Sequence, residues 1–190
     1  MIRRTALVLV AGLSGVACGS QAPVTSETFA APSPANFDSV ARTLDAHCGT
    51  MDCHGSPARN FRMYGYSGRR LDRLDVPGGA PTTPKESGAD YCSAIALEPE
   101  ILAQVTAEGG ARPERLTLVR KARGSESHVG NVVFPEGSEG DLCILDWLRG
   151  AAQPAHCNNS LTADFDRPPP VPVHVGDVDV SVCNRAVEDQ

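Results

Sequence analysis

The stretch HCGTMDCHG, residues 47–55, places two thiols five positions apart with an imidazole directly after the second. Three chemistries use such a set. Cys48 and Cys53 can form thioethers with the two vinyl groups of a haem while His54 ligates the iron on the same side. The two cysteines can instead close a small disulfide loop, which has no need of His54. Thiolates and imidazoles can also hold zinc, but no second Cys/His pair stands at zinc-finger spacing, and an oxidising compartment disfavours free thiolates.

The spacing itself sets a condition. The usual spacer between haem-anchoring cysteines is two residues. Here it is four, Gly49, Thr50, Met51 and Asp52. In an ideal helix three positions advance about 4.5 Å and five about 7.5 Å, and the second side chain points to another face. Cys48 and Cys53 therefore reach two fixed vinyls only if the spacer bulges. Gly49, free to take positive φ, is where the bulge is expected.

The elements that must position these groups are helical. Phe37, Val40, Ala41 and Leu44 recur at i, i+3, i+4, i+7 and predict a helix running into the Cys–His stretch, with Asn36 as N-cap and Asp38 in the first turn. A second helix is expected where Pro99 stands at N1, with Ile101, Leu102 and Val105 on its buried face and Gly109-Gly110 ending it. A third runs from Ser138 to Gly150, with Ser138 and Asp141 resembling a capping box and Ile144, Trp147 and Leu148 inward. Residues 59–72 read as irregular or briefly extended, 112–122 as a short apolar segment, and 75–90 as a Pro/Gly surface loop. The fold class expected is mainly α: a small helical domain with irregular loops and a disulfide-tied C-terminal extension.

Seven cysteines, 18, 48, 53, 92, 143, 157 and 183, form an odd set. The N-terminus explains one. Arg3 and Arg4 precede an apolar run from Thr5 to Val16, too short to span a bilayer and read as an export signal. The segment SGVAC resembles a bacterial lipoprotein signal, which implies lipidation of Cys18 as the mature N-terminus. With Gly19 and Ser20 following and no Asp, it implies anchorage to the outer membrane, on the periplasmic or surface side. If Cys48 and Cys53 carry haem, four cysteines remain for two disulfides; if not, three disulfides form. For the four, Cys92–Cys143 and Cys157–Cys183 are the expected pairs, the first tying a mid-chain loop to the last core helix and the second closing the C-terminal extension on itself.

The organisation expected is a signal at 1–17, a lipidated N-terminus and flexible tether at 18–35, a domain at 36–152 and the extension at 153–190. Formal charge is −6 overall and about −8 without the two arginines of the signal. No basic stripe is interleaved with aromatics, so nucleic acid is not expected as a partner. Nor is there a glycine-framed serine, an HExxH or a phosphate-cradling loop, so no enzyme is expected. Asp72 and Asp75 read as a solvated pair.

The order of pieces in the chain resembles class I c-type cytochrome domains of exported bacterial proteins. CGTMDCHGS, RMYGYSGRRL, PERLTLVRKA, SHVGN and LCILDWLRGAA follow one another as the corresponding segments do in that family, over about residues 36–152. The match departs in its four-residue spacer and in Asn131, where the family has Gly. The resemblance implies one covalent haem c on Cys48, Cys53 and His54, and a sixth iron ligand from His128 or Met63, with Met51 disfavoured on the proximal side. It implies single-electron transfer with an envelope redox partner, membrane attachment through the lipid anchor only, a pocket of Phe37, Leu44, Phe61, Leu102 and Trp147, and an acidic surface for the partner. The alternative is a haem-free, non-catalytic envelope lipoprotein of similar fold, stapled by disulfides.

Overall fold

The apolar stripe of the first predicted helix has the geometry to bury itself, and it does. In the computed structural model, which describes residues 29–151, 154–163 and 178–184, α1 spans Phe37–Cys48. Phe37, Val40, Ala41 and Leu44 are each at most 1% exposed. The Phe37 ring packs on Trp147, 4.9 Å between centres, and edge-on to Tyr91 at 5.3 Å. Asn36 precedes the helix without capping it through its side chain, because residues 34–36 form a 3-10 turn capped by Ser33.

Five further helices follow among the described residues: α2 (Pro84–Ile95), α3 (Pro99–Ala107), α4 (Thr117–Arg123), α5 (Glu139–Leu148) and α6 (Pro154–Ala163), with no strand beyond two isolated bridges. The fold is mainly α. No helix among the described residues is long and apolar enough to cross a membrane. α1 packs on α2, α5 and α6, and α5 on α4 and α6. Ser138 caps α5 by accepting from the Asp141 amide at 3.4 Å, while the Asp141 carboxylate takes the Gly137 amide and grips Arg123 through two bonds of 2.8 and 3.0 Å.

The sequence reading overlooked α2, whose residues fell in an expected surface loop. Its buried face is Glu86, Ser87, Gly88, Asp90, Tyr91 and Ala94, mostly not apolar, so hydrophobic periodicity is blind to it. Its start was nonetheless written in the chain. Thr83 accepts the Glu86 amide and the Glu86 carboxylate accepts the Thr83 amide, a complete capping box with Pro84 at the first position.

An internal network satisfies most of the buried polar face, leaving Asp90 Oδ2 without a partner. Arg70 donates to both oxygens of Glu86, at 2.8 and 2.9 Å, and to the carbonyls of Ala80 and Pro81. Burial works to raise the Glu86 carboxyl, but Arg70 and the Thr83 and Leu71 amides hold it below the usual range. Asp45, 2% exposed, has no such cation. It accepts from the Ser67 amide and the Thr82 hydroxyl, and burial pushes it up to about 6. Asp90, fully buried and bonded to the Tyr64 amide at 2.6 Å, is pushed well above the carboxylate range by burial.

Two disulfides tie later segments to the helices, but not in the expected pairs. Cys92 joins Cys183 and Cys143 joins Cys157. Cys143 lies on the face of α5 that meets α6, which returns across a short connection, so its nearest thiol is fourteen residues on. Cys92 sits on α2 against the 3-10 turn Val180–Asn184. Gly88 permits that approach, because a Cβ there would overlap the Asp179 carbonyl oxygen. The C-terminal extension is thus tied into the domain at two points rather than closed on itself.

Two outcomes follow from this packing. Chain-entropy arithmetic gives about 4.6 kcal/mol for the 91-residue closure and about 3 kcal/mol for the 14-residue one. Urea unfolding of Cys92→Ser/Cys183→Ser should show the larger loss and Cys143→Ser/Cys157→Ser the smaller. The second outcome concerns Asp45. It binds its proton near pH 3.8 when unfolded and near 6 when folded, so the folded state holds more protons between these values. Raising pH through that window therefore destabilises the protein, by about 3 kcal/mol. Asp45→Asn removes this slope: measured by urea unfolding from pH 4 to 7, the variant should gain on the wild type as pH rises.

Candidate functional site

α1 delivers Cys48 as its last residue. The chain then turns tightly on itself: the Cys53 and Gly55 amides donate to the Thr50 carbonyl and the His54 amide donates to the Cys48 carbonyl at 2.9 Å. The spacer is looped out, as the two-cysteine spacing demands, but not by the expected device. Gly49 has φ −79°, an ordinary helical value. It is glycine because a Cβ would stand 2.5 Å from Asp45 Oδ1. Two more glycines complete the crossing. A Cβ on Gly55 or on Gly68 would overlap the Gly49 carbonyl oxygen, and Thr50 bridges Gly68 there.

His54 is strapped from both sides by the segment that follows. Its carbonyl accepts the Met63 amide at 2.8 Å, and its Nδ1 lies 2.8 Å from the Phe61 carbonyl oxygen. A carbonyl only accepts, so this bond puts the proton on Nδ1 and leaves the Nε2 lone pair free, the tautomer a metal-ligating imidazole needs. Burial lowers the His54 pKa; the Phe61 carbonyl opposes this, while His128 and Arg59 add to it. The ring is therefore neutral near neutral pH.

The fourth group comes from far along the chain. The His128 ring centre lies 5.9 Å from that of His54, with planes 22° apart. Two imidazoles on opposite sides of one metal ion stand about 6 Å apart between ring centres, from two bonds of about 2.0 Å plus roughly 1.1 Å within each ring. His128 Nδ1 is buried and has no hydrogen-bond partner. The loop holding it is pinned to α4, with Lys121 donating to the Ser127 carbonyl and the Val133 and Phe134 amides to the Ala122 carbonyl. Asn131 donates to the His128 carbonyl from a left-handed conformation, φ 55°. Asn is among the few residues with a side chain that adopt this conformation readily, which accounts for its standing where the resembling family has Gly.

Cys48 and Cys53 are both unpaired and half-buried. Burial pushes the Cys48 thiol up to about 12, with Cys53 beside it adding to the shift, so with no metal bound it carries its proton at neutral pH. The structure thus sets Cys53 beside Cys48 and the His128 ring beside that of His54. Met63 is fully buried in the hydrophobic core, and Met51 is 47% exposed. Cys18 lies outside the described residues. Phe37, Leu44, Phe61, Leu102 and Trp147 are all buried. A cavity between α1, α5 and α6, lined by Asp38, Arg42 and Asp146, contains none of the four site residues. Among the described residues no three or more His, Cys, Asp or Glu side chains form a group that could hold a metal ion.

The sequence reading missed Asp45, Ser67 and Gly68. Asp45 carried a signal: it stands four residues after Ala41 on the buried stripe, where a charge needs internal partners. Gly68→Ala tests the crossing. Forcing a methyl against the Gly49 carbonyl should destabilise the protein by about 1–3 kcal/mol in urea unfolding, with the His54 ring signals shifting in NMR.

No protein-family model matches the chain, and neither does any curated protein or solved structure.

Proposed function

We propose that this chain is an electron carrier: a domain of the c-type cytochrome kind, holding one covalent haem and tethered to the outer membrane through a lipid on Cys18. One observation carries the reading. Two cysteines left out of the disulfides, a histidine with its Nε2 free, and a second histidine with an orphaned buried nitrogen stand together at the spacing of two imidazoles on one iron. Cys48 and Cys53 would anchor the vinyl groups, and His54 and His128 would ligate the iron. Bound there, the haem supplies one-electron exchange between ferrous and ferric iron.

The chain's own residues do the rest. The Phe61 carbonyl holds the His54 tautomer and orients its ring. The Asn131 turn fixes the His128 loop. The His128 ring lies 5.9 Å from that of His54, while Met63 is buried in the hydrophobic core, which supports His128 over Met63 as sixth ligand. The unpaired state of Cys48 and Cys53 weighs against the haem-free, three-disulfide alternative.

The test is an absorption spectrum of the full chain exported alongside cytochrome c maturation factors. One covalent haem per chain by pyridine haemochrome is expected, with no methionine–iron charge-transfer band. Cys48→Ser should lower the covalent yield sharply. His128→Ala should give a high-spin iron that takes up added imidazole, while Met63→Leu leaves the spectrum unchanged. A folded, colourless protein with no free thiols would replace this reading with the disulfide-stapled lipoprotein.

A further inference from the structure

An acidic chain carries one strongly basic segment. Residues 59–73, directly after the Cys–His stretch, hold five arginines and one aspartate, a formal +4, which leaves −10 for the remainder of the −6 chain. Arginines elsewhere among the described residues are neutralised. Arg42, Arg112, Arg115, Arg120, Arg123 and Arg149 each face a carboxylate within 3.5 Å. Within the basic segment only Arg70 does so, through the buried Glu86. Arg59, Arg62, Arg69 and Arg73 form no ion pair with any described residue, although acidic residues outnumber basic ones in the chain.

Arg59 and Arg62 are neighbours, and Arg69 stands against Tyr64 on the same segment. Arg62 donates to the Arg59 carbonyl at 3.0 Å, and Arg69 bridges Tyr64, with its guanidinium 5.9 Å from the Tyr64 ring centre. The segment is held in place by the Met63–His54 and Gly65–Arg69 backbone bonds and by Tyr64 on Asp90. The segment also abuts the candidate site, since the Phe61 carbonyl between Arg59 and Arg62 lies 2.8 Å from His54 Nδ1. Unpaired charges of one sign, on an anchored segment beside the place where electrons would enter, form a complementary docking face rather than a solvated one. Planar guanidinium groups next to tyrosines are also the side chains that dominate protein interfaces.

We propose that Arg59, Arg62 and Arg69, with Tyr64, form the docking face for a protein partner, and that the partner presents a carboxylate-rich surface. This face differs in sign from the acidic surface toward a partner that the resemblance implies. The net charge of the chain is acidic, but the charge beside His54 is not. That the partner exchanges electrons rests on the haem reading; the basic face itself rests on the distribution of ion pairs.

The experiment titrates the full chain with fluorescently labelled poly-L-glutamate and, separately, with vesicles of phosphatidylglycerol or phosphatidylcholine, at low and moderate salt. Haem per chain is counted in the same samples. The wild type should bind poly-L-glutamate with an affinity that falls with salt. Arg59→Gln/Arg62→Gln/Arg69→Gln should bind about tenfold more weakly. A control removing three ion-paired cations, Arg112→Gln/Lys121→Gln/Arg149→Gln, should stay within about twofold. If the triple variant misfolds by circular dichroism, Arg59→Gln alone, at an exposed position, should still weaken binding about two- to threefold. Equal losses in variant and control would overturn the proposal, since net charge alone would then explain binding. Tighter arginine-dependent binding to phosphatidylglycerol vesicles would also overturn it, in favour of a membrane contact. A colourless protein that binds through these arginines would sink the haem reading and keep the docking face, and a haem-bearing protein indifferent to them would do the reverse.

Discussion

Three stretches of backbone meet at the Gly49 carbonyl, and the geometry of the site depends on how closely they approach. Gly55 and Gly68 come so near to that oxygen that neither position admits a Cβ. The approach lets the four-residue spacer loop outward while the His54 amide closes on the Cys48 carbonyl. It also draws residues 61–69 over His54, where the Phe61 carbonyl takes the Nδ1 proton and the Met63 amide takes the His54 carbonyl. The orientation of one imidazole is therefore set by backbone hydrogen bonds whose register three glycines permit.

Beneath this crossing lies a polar interior in which charge is treated in two ways. Glu86 keeps its ionised form because Arg70 stays within hydrogen-bond reach of both its oxygens. Asp45 and Asp90 have only amide and hydroxyl donors, so burial drives each toward its neutral form. Asp45 receives the Ser67 amide beside the crossing, and Asp90 receives the Tyr64 amide beyond it. The same carboxylates that fix the segment carrying Arg59, Arg62 and Arg69 thus make the fold more stable when protonated. On the surface the division is between arginines answered by carboxylates and arginines left open next to His54.

Much of this was legible in the chain. The four-residue apolar stripe of α1, Pro99 at the start of α3 and Ser138 before α5 each act within one or two helical turns, and the elements they predicted are present. α2 was written just as locally, in Thr83-Pro84-Lys85-Glu86, but its buried face is polar and hydrophobic periodicity passes over it. Asp45 could be suspected from its place on the α1 stripe, whereas its partners Ser67 and Thr82 lie 22 and 37 residues away.

The sequence by itself determined the mainly helical class, the cysteine inventory and the grouping of Cys48, Cys53 and His54, because these depend on residue type and on neighbours along the chain. The tertiary structure alone decided which thiols pair, since Cys143 meets Cys157 only once α6 folds back on α5, and Cys92 meets Cys183 only because Gly88 admits the C-terminal turn. It also decided that the His128 ring comes to lie beside His54, and that Arg59, Arg62 and Arg69 meet no carboxylate among the described residues. Each of these depends on which surfaces come within a few ångströms of one another after packing, a distance that spacing along the chain does not encode.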